Sequence, residues 1–364
     1  MNTKRTALGV AITGTAAGIV GLVVMALPAS AGGTPPPLPP IGADALVQSV
    51  LSTHIPAMSG TVSIKESLGL PIPILPSGGS DGVAARVYSD GTGKARISLT
   101  KQMSETTIVQ DGSTLWIWDS SDKSVRKIPH DATAKPAPST QELADPASAA
   151  QQIVSAIQED STVAVDGTAQ VAGRSAYQLV LTPKPTEKTL LREVRVAIDS
   201  ELRIPLRLEV LANGQADPAL RIAFTEFSPG AQDASLFQFS PPAGAKVTET
   251  KPGDQKPDPK AAQDLLAQIN PQVVGKGWDT VLVGKVPANL LSGAMPGQNG
   301  KGDRGNQVDV TSLLRTFAKQ VNGSFGTGWV VSTKVGTVLF TADGRAALGA
   351  VPEQVLIDAI GQVK

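Results

Sequence analysis

The chain has 364 residues, 32 basic and 32 acidic side chains, and no cysteine. The lack of cysteine excludes disulfides, thiol nucleophiles, thiolate metal ligands and the acylated cysteine of a bacterial lipoprotein. Zero net charge without a basic patch argues against a nucleic-acid partner. At about 100–200 residues per domain, the length predicts two domains, and the 41% apolar fraction is sufficient for their cores.

The N-terminus has the pattern of a secretory signal peptide. Lys4 and Arg5 precede an apolar run from Ala7 to Leu27, and a small-residue A-x-A site ends at Ala31. We therefore expect residues 1–31 to be removed and the protein to be exported. The alternative is an uncleaved anchor, since the run is long enough to span a bilayer. Both interpretations place the remaining chain outside the cytoplasm, because the positive residues stay inside.

A first domain is predicted over residues 43–249, after a proline-rich spacer at 32–42. It begins with an amphipathic helix capped by Asp44, and a second helix is predicted over residues 145–160. The other segments alternate between apolar and polar residues, which is typical of antiparallel strands with one dry face. About ten such strands joined by hairpin turns predict a strongly curved sheet or barrel.

The segment SLFQFSPPAGAKVTE, residues 235–249, predicts the end of this domain. Phe237 and Phe239 alternate as on a strand with one buried face. Pro241 and Pro242 end that strand, because proline has no backbone N–H to donate. An extended run restarts after the two prolines.

Residues 250–260 are rich in Pro, Lys and Asp and predict a linker. Residues 261–364 then predict a smaller α+β domain. It contains a helix over residues 308–321, several short strands, and a last helix that begins at Pro352.

The sequence contains little that indicates catalysis. The two histidines, His54 and His130, lie in no metal-binding or nucleophile motif. We therefore predict no metal, no cofactor and no enzymatic activity. A hydrolase whose site is assembled from loops stays open as a third hypothesis, behind the two functions described below.

One uncharged loop is unusual. Residues 67–79, SLGLPIPILPSGG, form a proline-interrupted apolar segment, whereas loops are usually polar. The segment is either a connection tucked under the sheet or the rim of an apolar cavity that can touch a membrane. In the second interpretation its aliphatic residues form the mouth of the cavity: Leu70, Ile72, Ile74 and Leu75.

Three segments together resemble the LolA/LolB-like lipoprotein-carrier superfamily. Residues 111–128, DGSTLWIWDSSDKSVRKI, are similar to its DG-x-x-L-W hairpin, and residues 197–214 are similar to its v-D-x-x-x-x-P strand pair. Residues 224–249 resemble its F-x-F and P-P-x-G-x-x-V ending. The resemblance covers residues 43–249. It implies an incomplete antiparallel barrel with a helical lid, whose concave face holds acyl chains.

The resemblance, combined with the strand alternation, predicts a hydrophobic cavity for a lipid or for the acyl chains of a lipoprotein. Peripheral contact with a membrane or a transporter is then expected as well. The residues predicted to line the inner face are Trp116, Trp118, Val194, Val196, Leu206, Leu208, Phe224, Phe237 and Phe239.

The two-domain layout also resembles the RseB/MucB regulators, which join a LolA-like domain to a smaller C-terminal domain. This second resemblance implies a different function, in which the protein binds the extracytoplasmic part of a membrane-bound anti-sigma factor. The sequence leaves the choice between carrier or sensor and regulator open.

The leader gives the first testable prediction. We expect the mature protein to begin near Gly32, because the A-x-A site ends at Ala31. N-terminal sequencing of protein exported by the cell checks this cleavage site. Recovery of chains that start at Met1 in the membrane fraction would instead indicate an uncleaved anchor.

Overall fold

The computed structural model describes residues 38–69, 83–100, 104–129, 157–249, 267–286 and 318–363. These ranges form two β-sheets, one of twelve strands and one of six. Within them, no helix is both long enough and apolar enough to cross a membrane.

The first sheet contains strands rich in Val, Ile and Thr, as expected for a pleated and partly buried surface. Its strands are β1 (Ala57–Glu66), β2 (Val83–Asp90), β3 (Ala95–Thr100), β4 (Glu105–Gln110), β5 (Thr114–Asp119), β6 (Ser124–Pro129), β7 (Ser161–Val171), β8 (Arg174–Pro183), β9 (Leu191–Asp199), β10 (Pro205–Ala212), β11 (Leu220–Pro229) and β12 (Lys246–Glu249).

The spatial order of this sheet is β12-β6-β5-β4-β3-β2-β1-β11-β10-β9-β8-β7. Most neighbours are consecutive in the chain and antiparallel. The exceptions are β1 with β11, an antiparallel pair that joins the two halves of the sheet, and β12 with β6, which is parallel. The strands β7 and β12 form the two ends and do not pair with each other. The predicted open antiparallel sheet is therefore confirmed.

One helix packs on this sheet. Helix α1 (Ala43–Leu51) confirms the predicted N-terminal helix, but Gly42 is its N-cap and Asp44 lies in its first turn without capping it. Leu46 of α1 is fully buried against Tyr177, Leu179 and Ile198. Of the second predicted helix, residues 157–160 are helical and residues 145–156 lie outside the described residues.

The strand predicted at Phe237 and Phe239 is wrong. Residues Ala234–Phe237 form a 3-10 turn instead, capped by Asp233, whose Oδ1 accepts from the Ser235 backbone N–H at 2.8 Å. This side-chain bond gives the backbone a local partner in place of a strand. The extended run after the two prolines is β12.

The second sheet has the order β13-β14-β18-β17-β16-β15 and is antiparallel throughout. A final helix, α2 (Glu353–Gln362), packs Leu356 and Ile360 into its core. The strands are β13 (Gln272–Val274), β14 (Val281–Lys285), β15 (Lys319–Gly323), β16 (Gly326–Ser332), β17 (Thr337–Thr341) and β18 (Arg345–Gly349).

The helix predicted over residues 308–321 is wrong at its C-terminal end, since Lys319–Gly323 is strand β15. The sequence there is Val-Asn-Gly-Ser-Phe-Gly. Its Asn-Gly pair favours a hairpin turn over the helix that the apolar spacing predicts. Gly326 after this turn has φ +86°, a conformation that favours glycine. Residues 308–317 lie outside the described residues.

Hydrogen bonds join the two sheets at the start of β7 and at the loop between β8 and β9. Trp278 Nε1 donates to Ser161 Oγ at 2.7 Å, and the Leu190 N–H donates to the Ala350 carbonyl at 2.8 Å. In a third contact, the Lys334 N–H donates to the carbonyl of Leu68, two residues after the end of β1. The linker expected at residues 250–260 lies outside the described residues, so independent folding of the two domains stays a prediction.

The hairpin between β9 and β10 depends on Asp199, whose side chain is fully buried. Its carboxylate accepts hydrogen bonds from Arg174 Nε and Nη2, and from the backbone N–H groups of Glu201 at 2.9 Å and Leu202 at 2.7 Å. Burial alone would raise the pKa of Asp199, but these hydrogen bonds outweigh it and lower the pKa. The aspartate of the v-D-x-x-x-x-P motif is thus a structural residue.

We expect Asp199→Asn to destabilise the protein by about 3–5 kcal/mol, because the change leaves the Arg174 charge without its buried partner. Since the pKa of Asp199 is lowered on folding, its contribution is complete above the unfolded value of about 3.9 and is lost as the pH falls through the folded value. Urea unfolding at pH 7 and pH 3 measures both effects.

Glu201→Gln is the matched control. Its carboxylate also contacts Arg174, at 2.9 Å, but its side chain is 79% exposed. The control should cost less than about 1 kcal/mol. Equal losses in the two variants would show that Asp199 has no special structural role.

Candidate functional site

The register of the first sheet determines which side chains share a face, because directly opposed residues of antiparallel strands point to the same side. Val87 on β2 lies opposite Ile97 on β3, which lies opposite Ile108 on β4, which lies opposite Ile117 on β5. These four residues form one row across the sheet, and we call the face that they occupy the aliphatic face. The row ends at Arg126 on β6.

The same face continues into the other half of the sheet. Ile64 on β1 lies opposite Ile222 on β11, which lies opposite Leu208 on β10, which lies opposite Val196 on β9. Val194 is two residues before Val196 and therefore points to the same side. Four of the residues predicted for the inner face thus share the aliphatic face: Val194, Val196, Leu208 and Phe224.

The aliphatic face is covered differently along its length. Near β8 and β9, helix α1 covers it, with Leu46 packed against Leu179 and Val196. At the centre, Val62, Val87 and Phe224 are almost completely buried in the main core. On β3–β6 the side chains are only half-buried. We call this last group the aliphatic site, and it consists of Ile97, Leu99, Ile108, Leu115, Ile117 and Ile128.

At the centre of the face, the ring of Phe224 fills the space next to Gly60. A Cβ at this position would lie 2.4 Å from Cε1 of Phe224, so the phenyl ring occupies the place of a side chain. Phe224 also packs edge-on against Phe227, with ring centroids 4.8 Å apart. The aromatic pair separates the aliphatic site from the part of the face that α1 covers.

Trp116 and Trp118 lie on the opposite face. Trp116 pairs with Val109 and Trp118 with Thr107, and both partners are buried on that side. Phe239 packs against Trp116 with ring centroids 5.5 Å apart. The structure therefore does not bring the tryptophans and Phe239 together with Val196 and Leu208.

Phe237 and Leu206 are both buried, but for different reasons. Phe237 ends the 3-10 turn, and the Leu236 carbonyl next to it accepts a hydrogen bond from Arg96, whose partners Tyr88 and Val109 are on the Trp116 side. Leu206 sits where the β9–β10 register shifts, and it is fully buried in the main core. The predicted mouth residues, Leu70, Ile72, Ile74 and Leu75, lie outside the described residues.

The DG-x-x-L-W motif forms the turn before Trp116, and its leucine, Leu115, is a member of the aliphatic site. Asp111 accepts hydrogen bonds from the N–H groups of Ser113 and Thr114 and from Trp116 Nε1, the last at 2.9 Å. Burial acts to raise the pKa of Asp111, but these hydrogen bonds together lower it. The motif therefore fixes the tryptophan on the Asp111 side of the hairpin, away from the aliphatic site.

The site residues predicted from the sequence include none of the six members of the aliphatic site. On β5 both alternating sets of side chains are apolar, Leu115 with Ile117 and Trp116 with Trp118. The prediction selected the larger side chains, the tryptophans. The hydrogen bond from Trp116 to Asp111 distinguishes the two sets, because it holds the tryptophan on the face opposite the aliphatic site. Among the described residues, no three His, Asp or Glu side chains are grouped in a way that could hold a metal ion.

The fold and the site define an open antiparallel sheet with one aliphatic face, attached to a second small sheet. No family model and no curated protein matches the chain. Among solved structures, the chain is similar to the Pseudomonas aeruginosa MucA/MucB complex, with 17% identity and a TM-score of 0.43 over 87% of this chain and 96% of that chain.

Two further solved structures match a little over half of this chain. LprF from Mycobacterium bovis has 13% identity and a TM-score of 0.28, over 59% of this chain and 100% of that chain. A LolA superfamily protein from Nitrosomonas europaea has 12% identity and a TM-score of 0.24, over 55% and 99%. The structural neighbours thus include both groups that the sequence resembles.

Proposed function

We propose that this protein is an exported, non-enzymatic binding protein that holds a lipid or lipoprotein acyl chain against the aliphatic site. The observation that carries the proposal is the row Ile97–Ile108–Ile117, in which adjacent aliphatic side chains on three strands are all half-buried. Such side chains retain apolar surface that a ligand can still remove from water.

The chemistry of the row favours an alkyl chain over a polar ligand. Each methylene that a ligand buries there contributes about 0.8 kcal/mol. The polar residues that β4–β6 place on the same face are Thr106, Gln110, Asp119, Ser124 and Arg126, and none of them lies between Ile97, Ile108 and Ile117. Without convergent acids and bases among its six members, the aliphatic site suits binding and offers nothing for bond cleavage.

We further propose that Leu70, Ile72, Ile74 and Leu75 form the mouth of this site. Support comes from the anchoring of the chain just before them. The Ser67 N–H donates to the Ala219 carbonyl at 2.8 Å, and the Leu68 carbonyl accepts from the Lys334 N–H at 2.9 Å. The second sheet thus holds the base of the segment that would cover the ligand.

We expect Ile108→Glu to weaken fatty-acid binding at least ten-fold, because it places a charge in the middle of the apolar row without a partner. Displacement of a fluorescent fatty acid measures the affinity. Val247→Glu is the matched control, since Val247 is 50% exposed on the edge strand β12, outside the aliphatic site. The control should bind as the wild type does.

Two results would contradict the proposal. In the first, the wild type binds no amphiphile. In the second, Ile108→Glu remains folded, as judged by its unfolding transition, and binds as well as the wild type. Lipid extraction and mass spectrometry of the purified protein identifies the ligand that it carries from the cell.

A regulator that binds an anti-sigma factor is the second candidate. The supporting observation is that hydrogen bonds of Trp278, Leu190 and Lys334 attach the second sheet to the first. If this function is correct, the extracytoplasmic segment of an anti-sigma factor from the same organism should co-elute with the full chain in size-exclusion chromatography. Absence of a complex at micromolar concentrations would leave the carrier or sensor function alone.

A further inference from the structure

The face opposite the aliphatic face carries three arginines on neighbouring strands. Arg195 on β9 and Arg221 on β11 are the register partners of Glu209 on β10, and Arg207 lies two residues before Glu209. All four side chains therefore point to the same side of the sheet. We call Arg195, Arg207 and Arg221 the arginine cluster.

Glu209 is the anion that two of these arginines share. It is only 4% exposed. Arg221 Nε donates to Glu209 Oε1 at 2.7 Å, and Arg207 Nε lies 3.5 Å from Glu209 Oε2. Arg207 Nη2 also donates to Gln178 Oε1 at 3.1 Å. The carboxylate thus holds two guanidinium groups close to each other.

The third arginine is incompletely paired. Arg195 Nη2 lies 2.6 Å from Glu193 Oε1, but Arg195 Nε is buried and has no hydrogen-bond partner. A buried donor without a partner is costly, so its presence in a folded protein requires an explanation.

The cluster also has an excess of positive charge. Three arginines face two carboxylates, those of Glu193 and Glu209. The pKa of Arg207 is lowered by its burial, Glu209 acts to raise it, and the positive charges of Arg221 and Arg195 lower it further. The three guanidinium groups are therefore close enough to repel one another, and an additional anion would relieve that repulsion.

We propose that the arginine cluster binds a phosphate group. A phosphate supplies several acceptor oxygens and a negative charge, and guanidinium groups bind it through paired N–H donors. The side chains of Arg195 and Arg221 remain 34% and 39% exposed, so the group can approach from solvent. A free phosphate compound and a phospholipid head group both present this chemistry. The inference is independent of ligand binding at the aliphatic site.

Titration calorimetry of the full chain with inorganic phosphate tests the proposal. Arg195→Gln should weaken binding at least ten-fold, because it removes both the charge and the unpaired donor. Arg126→Gln is the matched control, since it removes the same charge from an exposed arginine on the aliphatic face. The control should keep the affinity of the wild type.

A second variant gives an effect of opposite sign. Glu209→Gln removes the internal anion that competes for Arg207 and Arg221, so it should strengthen phosphate binding several-fold. The proposal is wrong if the wild type shows no saturable binding, or if Arg126→Gln and Arg195→Gln lose the same affinity. Unchanged phosphate affinity in a folded Glu209→Gln protein would equally contradict it.

Vesicles distinguish the two sources of phosphate. If the ligand is a head group, the protein should sediment with phosphatidic acid vesicles and not with phosphatidylcholine vesicles, and Arg195→Gln should abolish the sedimentation. Saturable binding of inorganic phosphate without sedimentation would support a soluble phosphate compound instead.

Discussion

The antiparallel pairing of β1 with β11 is the constraint on which the first sheet depends. It joins strands whose paired residues, such as Lys65 and Arg221, are more than 150 positions apart in the chain. Without this pair, β1–β6 with β12 and β7–β11 would be two separate sheets, and the aliphatic face would not be continuous. The closure of so long a loop costs entropy, which many buried contacts along the strands must offset. Phe224 on β11 and Val62 on β1 supply such contacts at the centre of the main core.

Local patterns predicted an antiparallel sheet of about ten strands joined by hairpin turns. The alternation in residues 57–229 identified strands with one apolar face, and the Asp-initiated turns at Asp111 and Asp199 formed as hairpins. The open antiparallel sheet could therefore be predicted from the sequence. The pairing of β1 with β11 was not predicted, because no local pattern specifies a partner so distant in the chain.

The candidate site was predicted less completely, because alternation shows that a strand has two faces without showing which one meets the core. For β9 to β11 one parity is charged, so Val194, Val196 and Leu208 could be assigned to a common face from the sequence. For β5 both parities are apolar, and the tryptophans were assigned to the wrong side of the sheet relative to Leu208. A shift of one residue in strand parity exchanges the two faces completely. Turn-forming residues also override periodic patterns, both the strand alternation at Phe237 and the helical spacing before Asn322.

The short strand β12 has a consequence for the behaviour of the protein at high concentration. An open sheet leaves unpaired backbone groups at its two ends, and such edges can add a strand from another molecule. At one end, β12 has four residues, and it is charged, with Glu249 bound to Lys127 at 3.0 Å. At the other end, a bulge with Gly167 at φ +76° interrupts β7. Both edges are thus poor templates for the addition of a strand from another molecule, even though the sheet does not close on itself.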